Sequence, residues 1–509
     1  MVPRTTGRAA ARIPGAYRGR NPRLSSLPGP DRPARRAPRA PARARHRRSH
    51  PLSDADPPAA RLRRERLEGG TIPGGRDPRQ GIALPAHPAG HRRRRDRFRH
   101  RLHPRVLPKA GSRVKPVVAV LGGSTPFTAA LVEALRAAPA GIPACELRLF
   151  GRDVEALERM RGYGDRRLAP LGWTVAASPR LDEAVDGAVV VVNQIRFGGL
   201  AGRSRDEALA NRFQLPADET LGPCGLSAAL RVVPRIRELA AELGRRCADA
   251  WVLNLSNPLS ITTGAMIRAG APPRCVGLCE LPLATVIETC RVLRMSLADV
   301  AWKYAGLNHR GFVFSLEHRG EDLLPRLAEM LAGRTIFGVT AAEIRRVGAL
   351  PLKYFRLSIS PTGVAASGRA EFLGELKKTI GRELEDRTSP PPSLSRRDLS
   401  WYEGAVVPMI AAIFADDGRP VIVNCLRDDG LVREVASRVW REGVEILATT
   451  PPPRLLPWLD RWAAHERALL GAIESPSLER IEHALALDPA MPDAQVREVG
   501  RAIWDGYAN

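Results

Sequence analysis

Residues 115–128 read KPVVAVLGGSTPFT and decide the fold of this chain. The first seven are rich in β-branched side chains, which is typical of a strand buried on both faces of a parallel sheet. Two glycines, Gly122 and Gly123, follow the strand, and the apolar residues Leu131 and Leu135 then continue at helical spacing. A strand, a glycine turn and a helix in this order predict the first unit of a Rossmann-type domain.

The alternation of strands and helices continues to about residue 300. Short buried strands are predicted to end at Phe150, Asn193 and Leu255, and a helix is predicted over residues 227–243. This pattern indicates an α/β fold with a doubly wound parallel sheet over residues 114–300. Functional residues in such sheets lie at the carboxyl ends of the strands.

The pattern changes after residue 300. Residues 304–317 predict a strand, a turn and a second strand, and helical patterns follow at 341–357, 368–387 and 400–415. We therefore predict a second domain of the α+β class over residues 301–509, covering the cofactor cleft.

Most of the chain's net charge of +25 lies in residues 1–113, which hold 30 basic and 7 acidic residues. The rest of the chain holds 49 and 47, so its charge is nearly balanced. The basic segment lacks apolar periodicity and is predicted to be disordered. We favour a translation start assigned too far upstream, although an arm for nucleic acid or anionic membrane and an organelle transit peptide are alternatives. A nucleic-acid partner is not expected for the folded part.

The cysteines and the hydropathy indicate a cytoplasmic protein. Seven cysteines are scattered along the chain, an odd number that fits a reducing compartment better than a disulfide framework. No run of about 18 apolar residues is present, so a membrane span is not expected.

The glycine turn predicts a dinucleotide site. Gly122, Gly123, Ser124 and Thr128 allow the backbone and the following helix N-terminus to approach a pyrophosphate. Such turns are also often only structural. The acidic residue that normally binds the ribose 2′-hydroxyl is absent, and Arg152 stands beside its position, so NADP is an alternative to NAD.

Three further strand ends carry polar residues. Asn193 is a candidate for the cofactor, and Arg196 in the loop QIRFGGL is a candidate for clamping an anion, although a solvated charged loop is the simpler interpretation. Asn257 ends the motif NLSNP, where its amide can bind a sugar hydroxyl or only form a turn.

A metal site is predicted from a cysteine and a histidine about 30 residues apart. Cys279 follows a short strand in GLC, and His309 ends GLNH. A thiolate and an imidazole from two strand ends can hold one divalent ion and leave positions open for substrate oxygens. Single Cys and His residues are more often structural, and His318 is a weaker alternative ligand.

Seven motifs in order resemble glycoside hydrolase family 4, the NAD- and manganese-dependent glycosidases. They are VAVLGGSTPFT, QIRFGGLAGR, DETLGPCGLSAALR, NLSNP, VGLCELP, AGLNH and LPLKYFR, and the resemblance covers about residues 114–445. It implies a lactate/malate dehydrogenase-like fold, a homo-oligomer and activity mainly on 6-phosphoglucosides, with the 6-phospho-β-glucosidase as the expected activity. The expected partner is thus a small sugar.

The resemblance also implies residue roles and a mechanism. Cys279 and His309 match the metal ligands, Tyr354 matches the general base, Asn257 matches a substrate contact, and Arg369 falls where members specific for 6-phosphosugars keep a phosphate-binding arginine. The implied route oxidises sugar C3 with NAD, removes the C2 proton, eliminates the aglycone and adds water; this family is an exception to two-carboxylate glycosidases.

Three departures from the family pattern leave alternatives open. Glu280, expected to face the substrate, replaces the asparagine usual in members that cleave 6-phospho-β-glucosides, and a carboxylate there would repel a sugar phosphate. Gly151 replaces a usually acidic residue, and Arg356-Leu357-Ser358 replaces a tyrosine-rich run. The alternatives are a net sugar dehydrogenase and a degenerate sugar- or nucleotide-binding protein.

Overall fold

The computed structural model describes residues 115–138, 141–359, 368–385 and 389–508 of the 509-residue chain. The predicted disorder of residues 1–113, with the alternatives for that segment, lies outside the described residues. In the part that the structure describes, no helix is long and apolar enough to cross a membrane.

The first half of the described chain is a parallel sheet with the strand order β3-β2-β1-β4-β5-β6. This is the order of a Rossmann domain, in which the polarity of the winding reverses between β1 and β4. The strands are β1 (Val117–Leu121), β2 (Glu146–Phe150), β3 (Thr174–Ser178), β4 (Ala188–Asn193), β5 (Trp251–Asn254) and β6 (Arg274–Gly277).

Helices cover both faces of this parallel sheet. Val118 and Val120 of β1 point into one apolar core, whereas Val117, Ala119 and Leu121 point into the other. A strand buried on both faces needs a continuous apolar run, which the sequence has. The helices are α1 (Thr128–Arg136), α2 (Val154–Leu168), α3 (Leu181–Val185), α4 (Gly199–Arg212), α5 (Gly222–Arg246), α6 (Leu259–Arg268) and α7 (Leu281–Leu293).

Antiparallel strands extend the same sheet beyond β6. Asn424 pairs with Gly277 of β6, and Glu434 pairs with Gly306, so the sheet is continuous across residue 300. The added strands are β7 (Ala301–Leu307), β8 (Arg310–His318), β9 (Glu321–Asp322), β10 (Leu350–Pro351), β11 (Pro420–Leu426), β12 (Val432–Trp440) and β13 (Gly443–Ile446). The predicted fold class, a doubly wound sheet followed by an α+β part, is confirmed.

The remaining helices pack around the antiparallel strands and back onto the parallel half. They are α8 (Leu324–Leu331), α9 (Ala341–Val347), α10 (Arg369–Glu383), α11 (Val407–Ala415), α12 (Leu456–Glu474), α13 (Leu478–Leu487) and α14 (Val496–Ala508). Ile410 and Ile413 of α11 join the core under β1, and Ile473 of α12 joins the core on the other face.

The helix predicted over residues 341–357 is wrong in its second half. α9 ends at Val347 because Gly348 adopts φ 67°, a left-handed conformation that stops a helix. β10 and a 3₁₀ segment, Lys353–Ser358, follow. The pattern at 400–415 begins with a π-helical turn, Tyr402–Val406, and becomes α-helical in α11.

All seven cysteines lie in the described residues, where they are free and buried.

Candidate active site

The glycine turn after β1 is tight enough to require glycine at both positions. Gly122 has φ 87°, and a Cβ on Gly123 would lie 2.9 Å from the Cβ of Leu149. The backbone N–H groups of both glycines donate to the carbonyl oxygen of Phe150, at 2.9 and 2.8 Å. The turn is therefore held against the end of β2.

A chain of hydrogen bonds ties this turn to the C-terminal half. Gln194 donates to Thr128 Oγ1 at 2.8 Å and to the carbonyl oxygen of Gly122 at 3.2 Å. Tyr402 in turn donates its hydroxyl to Gln194 Oε1 at 2.7 Å. Thr128, a predicted cofactor residue, is buried as the first residue of α1. The predicted turn and the π-helical segment thus share one polar network.

The end of β2 carries no carboxylate at the usual position for the ribose. Gly151 is buried there, and Ser124 Oγ lies 2.6 Å from the point that a Cβ on Gly151 would occupy. The carboxylate of Asp153 accepts the backbone N–H of Ala156 at 3.0 Å and so caps α2. The Arg152 side chain is exposed and forms no salt bridge within the described residues. The structure leaves Arg152 accessible, and its predicted role stays a prediction.

Asn193 at the end of β4 is buried and already bonded. Its Nδ2 donates to Asn254 Oδ1 at 2.9 Å and to Ser256 Oγ at 3.1 Å. Asn254 is also completely buried. These bonds connect the carboxyl ends of β4 and β5, so the side chain of Asn193 shapes the floor of the cleft. Its predicted contact with the cofactor stays a prediction.

Arg196 and Asn257 are brought together by Glu219, which the sequence analysis did not select. Arg196 forms an ion pair with Glu219, and Asn257 Nδ2 donates to Glu219 Oε1 at 2.7 Å. Burial alone would raise the pKa of Glu219, but Arg196, Arg203 and Asn257 lower it well below its ordinary value. Glu219 lies in the motif DETLGPCG, which carried the signal for it.

Arg369 is the first residue of α10, and α4 holds the start of that helix. Glu207 of α4 accepts the backbone N–H of Ala370 at 3.1 Å and pairs with Arg203 at 2.7 Å. The Arg369 guanidinium lies over the ring of Phe372, 5.1 Å from its centroid. These contacts bring Arg369 beside the helix that follows the Arg196 loop.

Cys279 and His309 have the properties of metal ligands. Cys279 is 8% exposed, directly after β6, and its sulfur is hydrogen-bonded by Asn308. His309 lies in the turn between β7 and β8 with φ 64°, and its buried Nδ1 has no hydrogen-bond partner within the described residues. Burial lowers the pKa of His309 to about 4, so its imidazole is neutral at pH 7. An unpartnered imidazole nitrogen and a cysteine sulfur are both ligand types that a divalent cation accepts.

The protonation of Cys279 depends on such a cation. Burial, with the carboxylates of Glu280 and Glu434, raises the pKa of the Cys279 thiol well above its ordinary value. No group of three His, Cys, Asp or Glu residues gathers in a metal-binding arrangement in the described ranges, and the metal role of Cys279 and His309 stays a prediction. His318 lies at the opposite end of β8 from His309, bonded to the carbonyl oxygen of Asp299.

Tyr354 stacks on His309. The ring centroids are 4.4 Å apart with an interplanar angle of 19°, and Lys353 Nζ lies 4.8 Å from the Tyr354 centroid. Burial and the charge of Asp218 raise the pKa of Tyr354 far above its ordinary value. Because its pKa is raised, Tyr354 keeps its proton in the absence of a further positive charge. The sequence analysis did not select Lys353 or Asp218.

A buried carboxyl group lies behind the metal ligands and was missed by the sequence analysis. Glu434 of β12 is completely buried and accepts hydrogen bonds from Tyr304 at 2.6 Å, Asn424 at 3.0 Å and Asn308 at 3.3 Å. Burial raises its pKa to about 7. Its position in an alternating strand gave no signal, because its partners come from β7, the β7–β8 turn and β11.

Glu280 follows Cys279 at the start of α7 and is half-buried. Burial raises the pKa of its carboxyl group. A Cβ on Gly404 would lie 3.3 Å from the Cβ of Glu280, so the π-helical turn packs against this residue. The predicted substrate contact of Glu280 stays a prediction.

Known proteins with this sequence pattern are glycosidases. Residues 116–295 match the family described as family 4 glycosyl hydrolase, and residues 304–491 match the family 4 glycosyl hydrolase C-terminal domain. A probable 6-phospho-beta-glucosidase of Bacillus subtilis is 25% identical over 415 residues, which cover 74% of this chain and 93% of the relative. Maltose-6′-phosphate glucosidase of Bacillus subtilis is 29% identical over 419 residues, with 74% and 92% covered.

A solved structure shows the same architecture. The 6-phospho-beta glucosidase from Thermotoga maritima, solved with manganese, NAD⁺ and glucose-6-phosphate, is 25% identical and has a TM-score of 0.68. The match covers 77% of this chain and 98% of that one.

Proposed function

Because this chain belongs to family 4 of the glycosyl hydrolases, we propose that it hydrolyses a 6-phosphoglucoside with NAD and a divalent metal, manganese in the first instance. The relatives named above support the substrate class, and the Thermotoga maritima structure supports both cofactors. The observation that carries the proposal is the unpartnered Nδ1 of His309, in a ring stacked on Tyr354.

The residues of the glycine turn and the metal pair have separate tasks in this proposal. When bound, NAD⁺ supplies the hydride acceptor for sugar C3, and the metal supplies the positive charge that acidifies the C2 proton and Tyr354. Gly122, Gly123, Ser124 and Thr128 would hold the dinucleotide, together with Asn193 and Arg152. Cys279 and His309 hold the metal.

Tyr354 is the proposed base for the C2 proton. Its ring is fixed by stacking on His309, so its hydroxyl oxygen is held at a constant position relative to the metal ligands. Burial opposes the charged form of Tyr354 in the ligand-free chain, which prevents it from titrating unless a cation is bound. The positive charge of Lys353, 4.8 Å from the ring centroid, further favours the tyrosinate.

The proposed site for the sugar phosphate is formed by Arg196, Asn257 and Arg369. Arg196 and Asn257 are both bound to Glu219, which fixes their positions before a substrate arrives. Glu219 neutralises one guanidinium, whereas the Arg369 guanidinium lies over the ring of Phe372 and forms no salt bridge within the described ranges. Planar guanidinium groups suit the oxygens of a phosphate.

We propose the β-anomer as the substrate, in line with the probable 6-phospho-beta-glucosidase named above and the Thermotoga maritima structure. Glu280 gives a specific reason to test the α-anomer as a second candidate. The family resemblance associates asparagine at this position with β-specific members, and here a half-buried carboxyl group stands there. Maltose-6′-phosphate, after which one of the relatives is named, is an α-glucoside.

The proposed domains are a cofactor domain over residues 114–300 and a substrate and metal domain over residues 301–509. Cys279 precedes this boundary and His309 follows it, so the proposed metal site joins the two parts. We also propose a cytoplasmic homo-oligomer.

Isotope exchange tests the mechanism directly. Turnover in D₂O is expected to place deuterium at C2 of the product, and Tyr354→Phe is expected to lose both exchange and at least about 100-fold in kcat. Tyr507→Phe, on the exposed C-terminal helix, is the matched control and should behave as the unmodified chain. Product without deuterium would refute the elimination route. Undiminished turnover in Tyr354→Phe would remove this residue from the base role.

A further inference from the structure

Arg397 has a side chain that is held in place but not neutralised. Its guanidinium carbon lies 4.3 Å from the centroid of Phe127 and 4.9 Å from that of Trp401. Its Nε is buried without a hydrogen-bond partner, and no salt bridge reaches Arg397 in the part of the chain that the structure describes. Two aromatic rings thus fix a guanidinium that no carboxylate pairs with in the described residues.

Two other arginines lie near Arg397. Burial lowers the pKa of Arg397 to about 10, the guanidinium groups of Arg196 and Arg369 act in the same direction, and Glu219 and Tyr402 oppose them. Arg196 is paired with Glu219, but Arg397 is not paired. A largely buried guanidinium without a paired carboxylate is unfavourable, and an anionic ligand would offset this cost.

The position of Phe127 identifies the anion. Phe127 directly precedes Thr128, the first residue of α1, and follows the glycine turn. A Rossmann-type domain receives a pyrophosphate at this helix start, where the helix dipole is positive. Tyr402, next to Trp401, is bonded through Gln194 to Thr128, so the segment carrying Arg397 is fixed against the turn.

We propose that Arg397 binds the pyrophosphate of the dinucleotide from the side opposite the glycine turn. The proposal rests on the proposed function for the presence of a dinucleotide. It adds a C-terminal residue to a site that the sequence pattern places wholly in the N-terminal domain. The sugar phosphate has its own proposed residues, Arg196, Asn257 and Arg369, and does not require a fourth.

Equilibrium binding tests this assignment without turnover. The dissociation constants of NAD⁺, ADP-ribose and adenosine are measured by calorimetry on the full chain, with no sugar present. Arg397→Gln is expected to weaken NAD⁺ and ADP-ribose at least about tenfold, the effect of losing a charge-assisted hydrogen bond, and to leave adenosine unchanged. Arg397→Lys should recover part of the loss, because it keeps the charge.

Arg396→Gln is the matched control. Arg396 is the adjacent residue, is exposed and lies over Phe372 at 5.8 Å rather than over Phe127. It should bind all three ligands as the unmodified chain does. Circular dichroism and melting temperature establish that each variant is folded, and Arg397→Lys keeps the test valid if the glutamine variant unfolds.

Each outcome decides the assignment. Unchanged NAD⁺ binding in Arg397→Gln, or an equal loss for adenosine, would overturn it. A higher KM for the phosphorylated sugar with unchanged NAD⁺ binding would move Arg397 to the sugar phosphate and also overturn it. The unmodified chain could also bind NAD⁺ in a way that requires Arg397 and yet hydrolyse no glycoside. That result would support the assignment of Arg397 and refute the proposed function.

Discussion

The two halves of the sheet position functional groups in different ways. In the parallel half, the glycine turn is built from backbone geometry at two adjacent glycines, and its closest partners, Leu149 and Phe150, come from the neighbouring strand β2. In the antiparallel half, the site depends on side chains from distant segments, such as Glu434 with Asn308 and Tyr354 with His309. Local sequence patterns can predict the first kind of site, whereas the second depends on tertiary packing.

The largest expected effect is a loss of manganese binding that leaves NAD⁺ binding nearly unchanged. His309→Ala should reduce manganese affinity and kcat by more than about 100-fold, because it removes a direct ligand rather than an outer contact. NAD⁺ affinity should change less than about threefold. Manganese binding is measured by electron paramagnetic resonance and NAD⁺ binding by calorimetry, with His318→Ala as the control. Equal loss of both ligands would show that the two sites are not separable.

A large effect on stability is expected at a buried ion pair that anchors the antiparallel half. Arg310 pairs with Asp488 at 2.9 Å, His465 lies 3.4 Å from Asp488, and all three side chains are nearly inaccessible. Asp488→Ala should lower the free energy of unfolding by about 3–5 kcal/mol, since it leaves a buried cation unpaired. Urea unfolding measures this change. A loss below 1 kcal/mol would contradict this account of the anchor.

The control for that anchor is an exposed ion pair of the parallel half. Glu158 pairs with Arg161 at 2.6 Å on the surface of α2. Glu158→Ala should change the free energy of unfolding by no more than about 0.5 kcal/mol, because solvent screens the pair.

Two glycines of the parallel half should respond with opposite signs. Gly123→Ala should cost about 1–3 kcal/mol and weaken NAD⁺, because the new Cβ would meet the Cβ of Leu149. Gly162→Ala, within α2, should stabilise the chain by about 0.5–1 kcal/mol, since its only close neighbour is the flexible end of Arg166. Thermal and urea unfolding of both variants measure the difference. Equal effects would refute the steric account of the turn.

A pH-dependent contribution is expected from Glu133 on α1. Burial alone would raise its pKa, but hydrogen bonds from Arg167, Tyr163 and Arg136 lower it below the ordinary value of 4.5. The charged form is thus favoured in the folded state, so its contribution is present above pH 4.5 and is lost as the pH falls. Glu133→Gln should cost about 1 kcal/mol at pH 7 and almost nothing at pH 2.5. A loss independent of pH would contradict this.

The smallest expected effect concerns cofactor choice. Because Gly151 replaces an acid and Arg152 is exposed, NAD⁺ and NADP⁺ should differ little in affinity. Arg152→Glu should weaken NADP⁺ by about three- to fivefold through exposed charges and leave NAD⁺ nearly unchanged. Calorimetry with both dinucleotides measures this. A strong preference for NAD⁺ in the unmodified chain would remove Arg152 from the ribose site.

The sequence was sufficient to predict the parallel half of the sheet and the type of functional site. Buried strands such as β1 have continuous apolar runs, and the turn at Gly122 has a short-range signature. The family resemblance supplied Cys279, His309 and Tyr354, and the structure brings the last two into contact. Each of these three residues stands in one of the seven motifs, so the sequence could identify it.

The remaining parts could not be predicted because their causes are not local. The helix predicted over 341–357 was broken by Gly348, whose left-handed conformation the apolar pattern does not indicate. Glu219 and Glu434 are selected by partners far away in sequence, so neither stands out in a window of neighbouring residues. Arg397 lies in an arginine-containing loop, and its packing on Phe127 and Trp401, which no sequence pattern indicates, distinguishes it from Arg396.

The most direct test of the central proposal is an assay of the full chain against paired chromogenic α- and β-glucosides, each with and without a 6-phosphate. NAD⁺, Mn²⁺ and a thiol are present, and each is omitted in turn. We expect turnover of the 6-phospho-β-glucoside that needs both NAD⁺ and Mn²⁺. Turnover that persists without either cofactor, or net accumulation of NADH without release of the chromophore, would contradict a family 4 glycosidase acting on phosphoglucosides.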